Sequence, residues 1–262
     1  MQEIQQVEIN NIETLHKEFI SGNPFPYVVI DNFLDSTLAL SLSHNFPAME
    51  NMDVFYKGLN ERKGEHSNFD SLTPDFTLLK EKLNSPKLIR QIEEITGIKD
   101  LFTLDDRYGR GLHQGGNNSF LDTHIDYNLH PILKKQRQLN LIIFLNENWE
   151  KEWGGCLQFS NTNRTEVVAS IIPKFNTAVI FICNSISYHG YDLIQCPPEV
   201  TRKSFYNYYF TEPGKHLIFH DTVFQTTGHD SWLRKVTIIT KEFLKNAIKK
   251  SMYYFGLNKL LK

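Results

Sequence analysis

The sequence predicts a mainly β protein with flanking helices (α+β), and three observations carry that expectation. Nine short segments between Leu101 and Phe210 are rich in β-branched and aromatic residues: LFTLD, GRGLHQ, SFLDTHID, RQLNLIIFL, CLQFS, EVVASII, TAVIFIC, SYHGYD and RKSFYNYYF. Turn signals separate them, among them Gly115-Gly116-Asn117-Asn118, Gly154-Gly155 and Asn161-Thr162-Asn163. Helical spacing of apolar residues is confined to the chain before Gly97 and after Ser231. Many short strands without alternating helices predict a sandwich, a barrel or a double-sheet jelly roll.

In chain order, Ile12 to Ile20 reads as a short helix with Leu15 and Phe19 on one side, ended by Gly22 and Pro24. FPYVVIDNFLD follows as a strand and turn. Asp35 or Ser36 then caps a helix through about Phe46, whose Leu38, Leu42 and Phe46 share a face. Pro47 to Ser71 is polar and reads as an irregular loop. Thr73-Pro74 opens a helix to Leu83, and Ser85-Pro86 opens another that Gly97 stops. Residues 1–97 are thus expected to be a supporting region of the same domain, 98–212 its β core, and 213–262 a loop and a basic amphipathic helix. In that last helix Trp232, Val236, Ile239, Phe243 and Ala247 recur every three or four residues, among Lys235, Lys241, Lys245, Lys249 and Lys250. Such a helix either packs its apolar face on the core with a solvated basic face, or docks an acidic partner, a phosphorylated substrate or an anionic membrane.

Bulk properties narrow the function. Hydrophobic residues make up 40% of the 262 and aromatics 13%, enough for a sizeable core. A net charge of −2 gives no general pull toward nucleic acid. Three cysteines, Cys156, Cys183 and Cys196, form no C-x-x-C pair and no even framework, so reduced thiols and a cytoplasmic location are expected. The polar, acidic opening MQEIQQVEIN does not read as a secretory signal, and runs such as LIIFL are too short to span a membrane.

The chemistry concentrates in three separated places. His124-Ile125-Asp126 puts an imidazole and a carboxylate on one face of a strand, because residues i and i+2 point the same way. His189 on a neighbouring strand completes a two-histidine, one-carboxylate set, which covers one face of an octahedral ion and leaves the other open. That set suits non-haem Fe(II). The reference imidazole pKa of about 6.5 puts the acid limit of metal binding near pH 6. Arg202 stands 13 residues beyond His189, where its guanidinium can clamp a carboxylate, and Ser204 lies on the same strand face. His113, Asn128 and His130 flank the H-x-D strand; His113 reads as a satisfied rim histidine.

The ordered series H-x-D, LNLIIFLNENW, WGGCLQF, PKFNTAVIF, YHGYD and TRKSFYNYYF, from about Pro24 to Thr211, resembles the iron(II)- and 2-oxoglutarate-dependent dioxygenases, in their prolyl-4-hydroxylase-like branch. The resemblance implies a double-stranded β-helix (jelly roll, cupin-like) core. It implies Fe(II) on His124, Asp126 and His189, and 2-oxoglutarate held by Arg202 and Ser204. Ascorbate is implied as a possible reductant. Relatives carry a tyrosine where Gln114 stands here, ten residues before His124, so Gln114 inherits the role of touching 2-oxoglutarate. A second tyrosine, common in the strand after H-x-D, is replaced by the run Leu139 to Ile143. The implied reaction consumes 2-oxoglutarate and O2, hydroxylates a prolyl residue or a small molecule, and releases succinate and CO2. Relatives that halogenate have Gly or Ala at the carboxylate position, whereas Asp126 fills it here. The rival reading is a metal- and 2-oxoglutarate-binding sensor without turnover.

Overall fold

A computed structural model describes residues 9–215, 217–226 and 231–257. Residues 1–8 of the N-terminal stretch read above as lacking a signal lie outside them, as do residues 258–262. The chain runs α1 (Ile12–Ser21), β1 (Tyr27–Asp31), α2 (Ser36–His44), β2 (Val54–Lys57), β3 (Glu61–His66), α3 (Pro74–Leu83) and α4 (Pro86–Thr96). It continues through β4 (Phe102–Thr103), β5 (Arg110–Gly115), β6 (Phe120–Ile125), β7 (Gln136–Phe144), β8 (Leu157–Ser160) and β9 (Val167–Ile171). Then come β10 (Thr177–Ile182), β11 (His189–Tyr191), β12 (Arg202–Thr211), β13 (Val223–Phe224) and α5 (Trp232–Tyr254).

The helix boundaries follow their caps. Asp35 accepts from the backbone N–H of Thr37 and Leu38 to start α2. Ser85 caps α4 ahead of Pro86, and Gly97 closes it at φ +74°.

The strands form one antiparallel curled sheet in the order β1-β10-β7-β12-β5-β3-β6-β11-β8-β9. Two halves, β1-β10-β7-β12-β5 and β6-β11-β8-β9, curl toward each other as a double-stranded β-helix, with β3 bridging β5 and β6. Alternation decides which side chains face which layer. Leu139, Leu141 and Ile143 of β7, with Phe205 and Tyr209 of β12, pack outward against Phe19, Leu42, Phe76, Leu88 and Ile92 of α1–α4. Phe144, Val179, Phe181, Leu157 and Phe159 fill the narrow end between the halves.

The structure departs from the sequence reading in two places. Pro47 to Ser71 is not an irregular loop: it contains the β2–β3 hairpin, and β3 is part of the sheet. Its strand residues Glu61, Lys63 and Glu65 are polar because they face the central cavity, so no apolar alternation betrays them. The second concerns α5: of its two readings, packing of the apolar stripe on the core is not what the structure shows. Trp232, Ile239 and Phe243 are 72%, 61% and 72% exposed, while Glu242 is buried. The polar side faces inward because the groove beneath it is lined with hydrogen-bonding groups. Glu242 accepts from the Phe224 N–H at 3.0 Å, Lys245 donates to the Thr222 carbonyl at 2.6 Å, and Lys249 pairs with Asp221 at 2.8 Å.

Candidate metal and cosubstrate site

The curl of the sheet encloses a cavity of about 700 Å3, and His124, Asp126, His189, Arg202 and Ser204 converge on it. His124 on β6 and His189 on β11 are directly opposite in the antiparallel register, with ring centroids 4.3 Å apart. Asp126, immediately after β6, brings Oδ1 to 3.8 Å from His124 Nε2 and Oδ2 to 3.8 Å from His189 Nε2. One ligand atom from each of the three lies within 4.8 Å of the other two.

Neighbouring groups fix which atoms point inward. His124 Nδ1 donates to the Asp122 carbonyl and His189 Nδ1 to the Ser187 carbonyl, each at 2.9 Å, so both Nε2 lone pairs face the cavity. Asp126 Oδ2 receives Asn140 Nδ2 at 3.3 Å, and the Cys183 thiol sits at 4.0 Å. Arg137 Nη1 lies 3.0 Å from the same oxygen, as an ion pair rather than an aligned hydrogen bond. The donor set therefore fits a divalent transition metal bound on one face.

Charge follows from burial and these neighbours. Burial would raise the Asp126 carboxyl, but Arg137 and the two imidazoles outweigh it and hold the pKa far below the usual carboxylate range. Burial and the neighbouring His189 push His124 down to about 3, so its imidazole stays neutral well below pH 6. Burial, then Asp126, raises the Cys183 thiol well above its ordinary value, so it is a neutral group beside the carboxylate.

Arg137 reaches this position through an irregularity. On β7 the pairs Tyr209↔Leu139 and Phe210↔Arg137 leave Gln138 as an extra residue. Without that bulge Arg137 would point outward with Leu139; with it the guanidinium turns inward. It slots between the rings of Tyr127 and Tyr208, its carbon 3.4 Å from each ring centroid.

Arg202 and Ser204 line the same cavity. The Arg202 side chain is fixed by Nε donating to the Gly155 carbonyl at 2.7 Å, with Nη1 3.4 Å from Ser204 Oγ. Phe144 and Tyr191 lie against its guanidinium, 4.9 and 4.5 Å from its carbon. Burial pushes the Arg202 pKa down, as for a cation whose surroundings are chiefly neutral, and such a group is suited to receive an anion. Gly155 makes this possible: its φ is +68°, and a Cβ there would come within 3.2 Å of Arg202 Cδ.

Gln114 is not placed in the site. It pairs with Lys203, so it shares the outward face of β5, and its amide donates to Thr201 Oγ1 at 2.9 Å. His113, opposite Ser204, takes the inward position. It stacks on Tyr206 at 4.5 Å and sits 3.3 Å from Glu65 and 3.2 Å from Lys63. Burial and Lys63 push His113 to about 4. Burial opposes ionisation of Glu65, yet His113, Lys63 and Tyr206 bring it to about 2. His130 is buried away from the cavity, bonded to Asp106 at 2.9 Å, and Asn128 ties the loop after β6 to His220. Arg137, Asn140, Tyr127, Tyr208 and the β3 side chains went unread in the sequence. For Asn140, Tyr208 and the β3 side chains the signal was polar and aromatic residues on the inward registers of β3, β7 and β12; Tyr127, in the loop after β6, and Arg137, at a bulge, had none.

Residues 110–210 match the family model described as the 2OG-Fe(II) oxygenase superfamily. No curated protein matches the chain. Among solved structures, a Pseudomonas putida prolyl-4-hydroxylase is similar at 14% identity and a TM-score of 0.56, over 78% of this chain and 100% of that one. A 2OG-Fe(II) oxygenase family oxidoreductase from Burkholderia pseudomallei is similar at 12% identity and a TM-score of 0.54, over 78% and 92%. HygX from Streptomyces hygroscopicus, solved with nickel and 2-oxoglutarate, is similar at 11% identity and a TM-score of 0.52, over 78% and 87%. The resemblance read from the sequence is borne out by the family model, and at these identities the structural likeness is one of fold.

Proposed function

We propose, from the premise that residues 110–210 carry the 2OG-Fe(II) oxygenase signature, that this chain is an Fe(II)- and 2-oxoglutarate-dependent dioxygenase that hydroxylates its substrate. The observation that carries the reading is the joint placement of the His124, Asp126 and His189 donors and the buried Arg202 guanidinium around one cavity. Iron and 2-oxoglutarate, when bound, would supply the oxidising chemistry, with release of succinate and CO2.

The chain's own residues hold, orient and shield. His124, Asp126 and His189 would hold the metal by three donors and leave its remaining positions to other ligands. Arg202, steadied by Gly155 and beside Ser204, would bind the distal carboxylate of 2-oxoglutarate. Phe144 and Tyr191 keep water from that guanidinium. Asn140 and Arg137 fix Asp126 and keep it ionised. Asp126 occupies the carboxylate position and its charge would repel a halide there, which favours hydroxylation over halogenation. The primary substrate would occupy the part of the cavity lined by Tyr56, Tyr108 and Phe224, between β2 and α5. Ascorbate serves as an accessory reductant in this reading, and the chain works in the cytoplasm.

Anaerobic titration tests the binding half. Fe(II) and 2-oxoglutarate together should produce the visible charge-transfer absorption of a keto acid chelated to Fe(II). Its absence with both at saturation contradicts the reading. Under labelled O2, one labelled oxygen should enter succinate and the other largely the hydroxylated product. A chlorinated product in chloride buffer contradicts the role given to Asp126.

A further inference from the structure

The inverted helix α5 is the largest feature that this chemistry leaves unexplained. Over Trp232–Tyr254 it turns Glu242, Lys245, Asn246 and Lys249 toward the protein. Arg234 bonds Asp122 and, at 3.2 Å, the Leu59 carbonyl. Ile238 and Tyr253 are its only buried apolar side chains among the described residues, with Tyr253 stacked 4.3 Å from Phe219. Trp232, Val236, Ile239 and Phe243 form one outward stripe at spacings of four, three and four, with Leu244 and Ile248 beside it. Contiguous apolar surface of this kind marks a docking site rather than an ordinary water-facing surface.

Charge identifies the occupant. Residues 231–262 contain eight Lys or Arg and one acid, a net charge of +7. The whole chain carries −2, so residues 1–230 carry −9. The single acid, Glu242, is buried on the inward side, and the exposed charges on the helix are Lys241 and Lys250 at the edges of the stripe. Arg234, Lys245 and Lys249 are paired inward, so the charges this face presents are Lys241 and Lys250, with no exposed acid on the helix to answer them in a second copy. An anionic bilayer takes both features at once: the stripe enters the headgroup boundary, and the flanking lysines meet acidic lipids.

We propose that the outward face of α5 docks this protein onto an anionic membrane surface. The helix would lie flat, its inward side still bonded to Asp221, Thr222 and Phe224, which line the cavity. The cavity wall formed by α5 therefore sits next to the lipid. No helix among the described residues is long and apolar enough to cross a membrane, so the contact is interfacial.

The test is sedimentation of the full chain with vesicles of phosphatidylcholine, with and without about one third phosphatidylserine. Binding should require the anionic lipid and weaken as salt is raised. The double variant Ile239→Ser/Phe243→Ser should reduce the bound fraction constant roughly tenfold or more, and Lys250→Glu should reduce it further. All three positions are exposed and lie away from the cavity, so Co(II) and 2-oxoglutarate binding should be unchanged and reports that the variants are folded. Failure to bind anionic vesicles, equal binding to neutral ones, or full binding by the double variant would overturn the proposal. So would a dimer in solution that the double variant abolishes, which would assign this face to a second copy. None of these outcomes bears on the iron and 2-oxoglutarate reading.

Discussion

Arg137 Nη1 lies 3.0 Å from Asp126 Oδ2, with the guanidinium held flat between the rings of Tyr127 and Tyr208. The cation is buried within the sheet, where a charge without a counterion is strongly disfavoured, so each of the two groups requires the other. The pair holds the Asp126 carboxyl far below its ordinary pKa. Removing the cation in Arg137→Met should raise the pH at which Co(II) is released by about 1–3 units, the usual effect of one close opposite charge. Cobalt absorption followed through an acid titration reads this directly. An unmoved release midpoint would show that Arg137 does not govern Asp126.

Arg202→Lys keeps a positive charge and loses the planar fork. Losing one charge-assisted hydrogen bond costs about 1.5–3 kcal/mol, or roughly a 10- to 150-fold weaker affinity for 2-oxoglutarate. Calorimetric titration of the Co(II)-loaded protein checks it. Unchanged affinity would place the carboxylate elsewhere in the cavity.

Gly155→Ala tests the support beneath that arginine. The new Cβ would meet Ile194 at 2.9 Å, Trp149 at 3.1 Å and Arg202 Cδ at 3.2 Å, in a backbone region that L-residues disfavour. A loss of about 1–2 kcal/mol in unfolding free energy is expected from the backbone alone. 2-Oxoglutarate affinity should fall with it because Arg202 Nε is anchored on the Gly155 carbonyl. Loss of stability with full affinity would separate the two roles.

Burial sets a pH dependence on the metal-free protein. His113 and His124 are pushed down to about 4 and about 3 in the folded state. A base with a depressed folded pKa leaves the unfolded chain holding more protons. Stability is therefore full above about pH 6.5 and falls as pH drops below it. Each group contributes a slope of about 1.4 kcal/mol per pH unit in that window, until its own folded pKa is reached. His189 is pushed down by burial in the same sense. Urea unfolding in the presence of a chelator should show this decline, and His113→Gln should make it shallower. A stability that rises on acidification through this window would contradict the assignment.

Much of this site was legible because its chemistry obeys simple spacing. H-x-D needs only the two-residue repeat of a strand, and all nine segments read as strands between Leu101 and Phe210 form strands. Arg202 and Ser204 share a face for the same reason. Gln114 was misplaced because a residue offset carries no face: in β5 the inward register belongs to His113. Arg137 was illegible because a bulge, which the sequence does not mark, turns it inward. The β3 wall was missed because strand residues facing a polar cavity lack apolar alternation. The orientation of α5 stayed open in the sequence because hydrophobic periodicity defines a stripe without saying what it faces.

The central claim is that His124, Asp126 and His189 hold an iron that turns over 2-oxoglutarate. Succinate formation under O2 with Fe(II) and 2-oxoglutarate, compared between the native chain and Asp126→Ala, tests it most directly. The account predicts iron-dependent succinate from the native chain, increased by the true substrate, and none above background from a folded Asp126→Ala. Equal succinate from both proteins, or none from a native chain that binds Fe(II) and 2-oxoglutarate across a broad panel of candidate substrates, would contradict it.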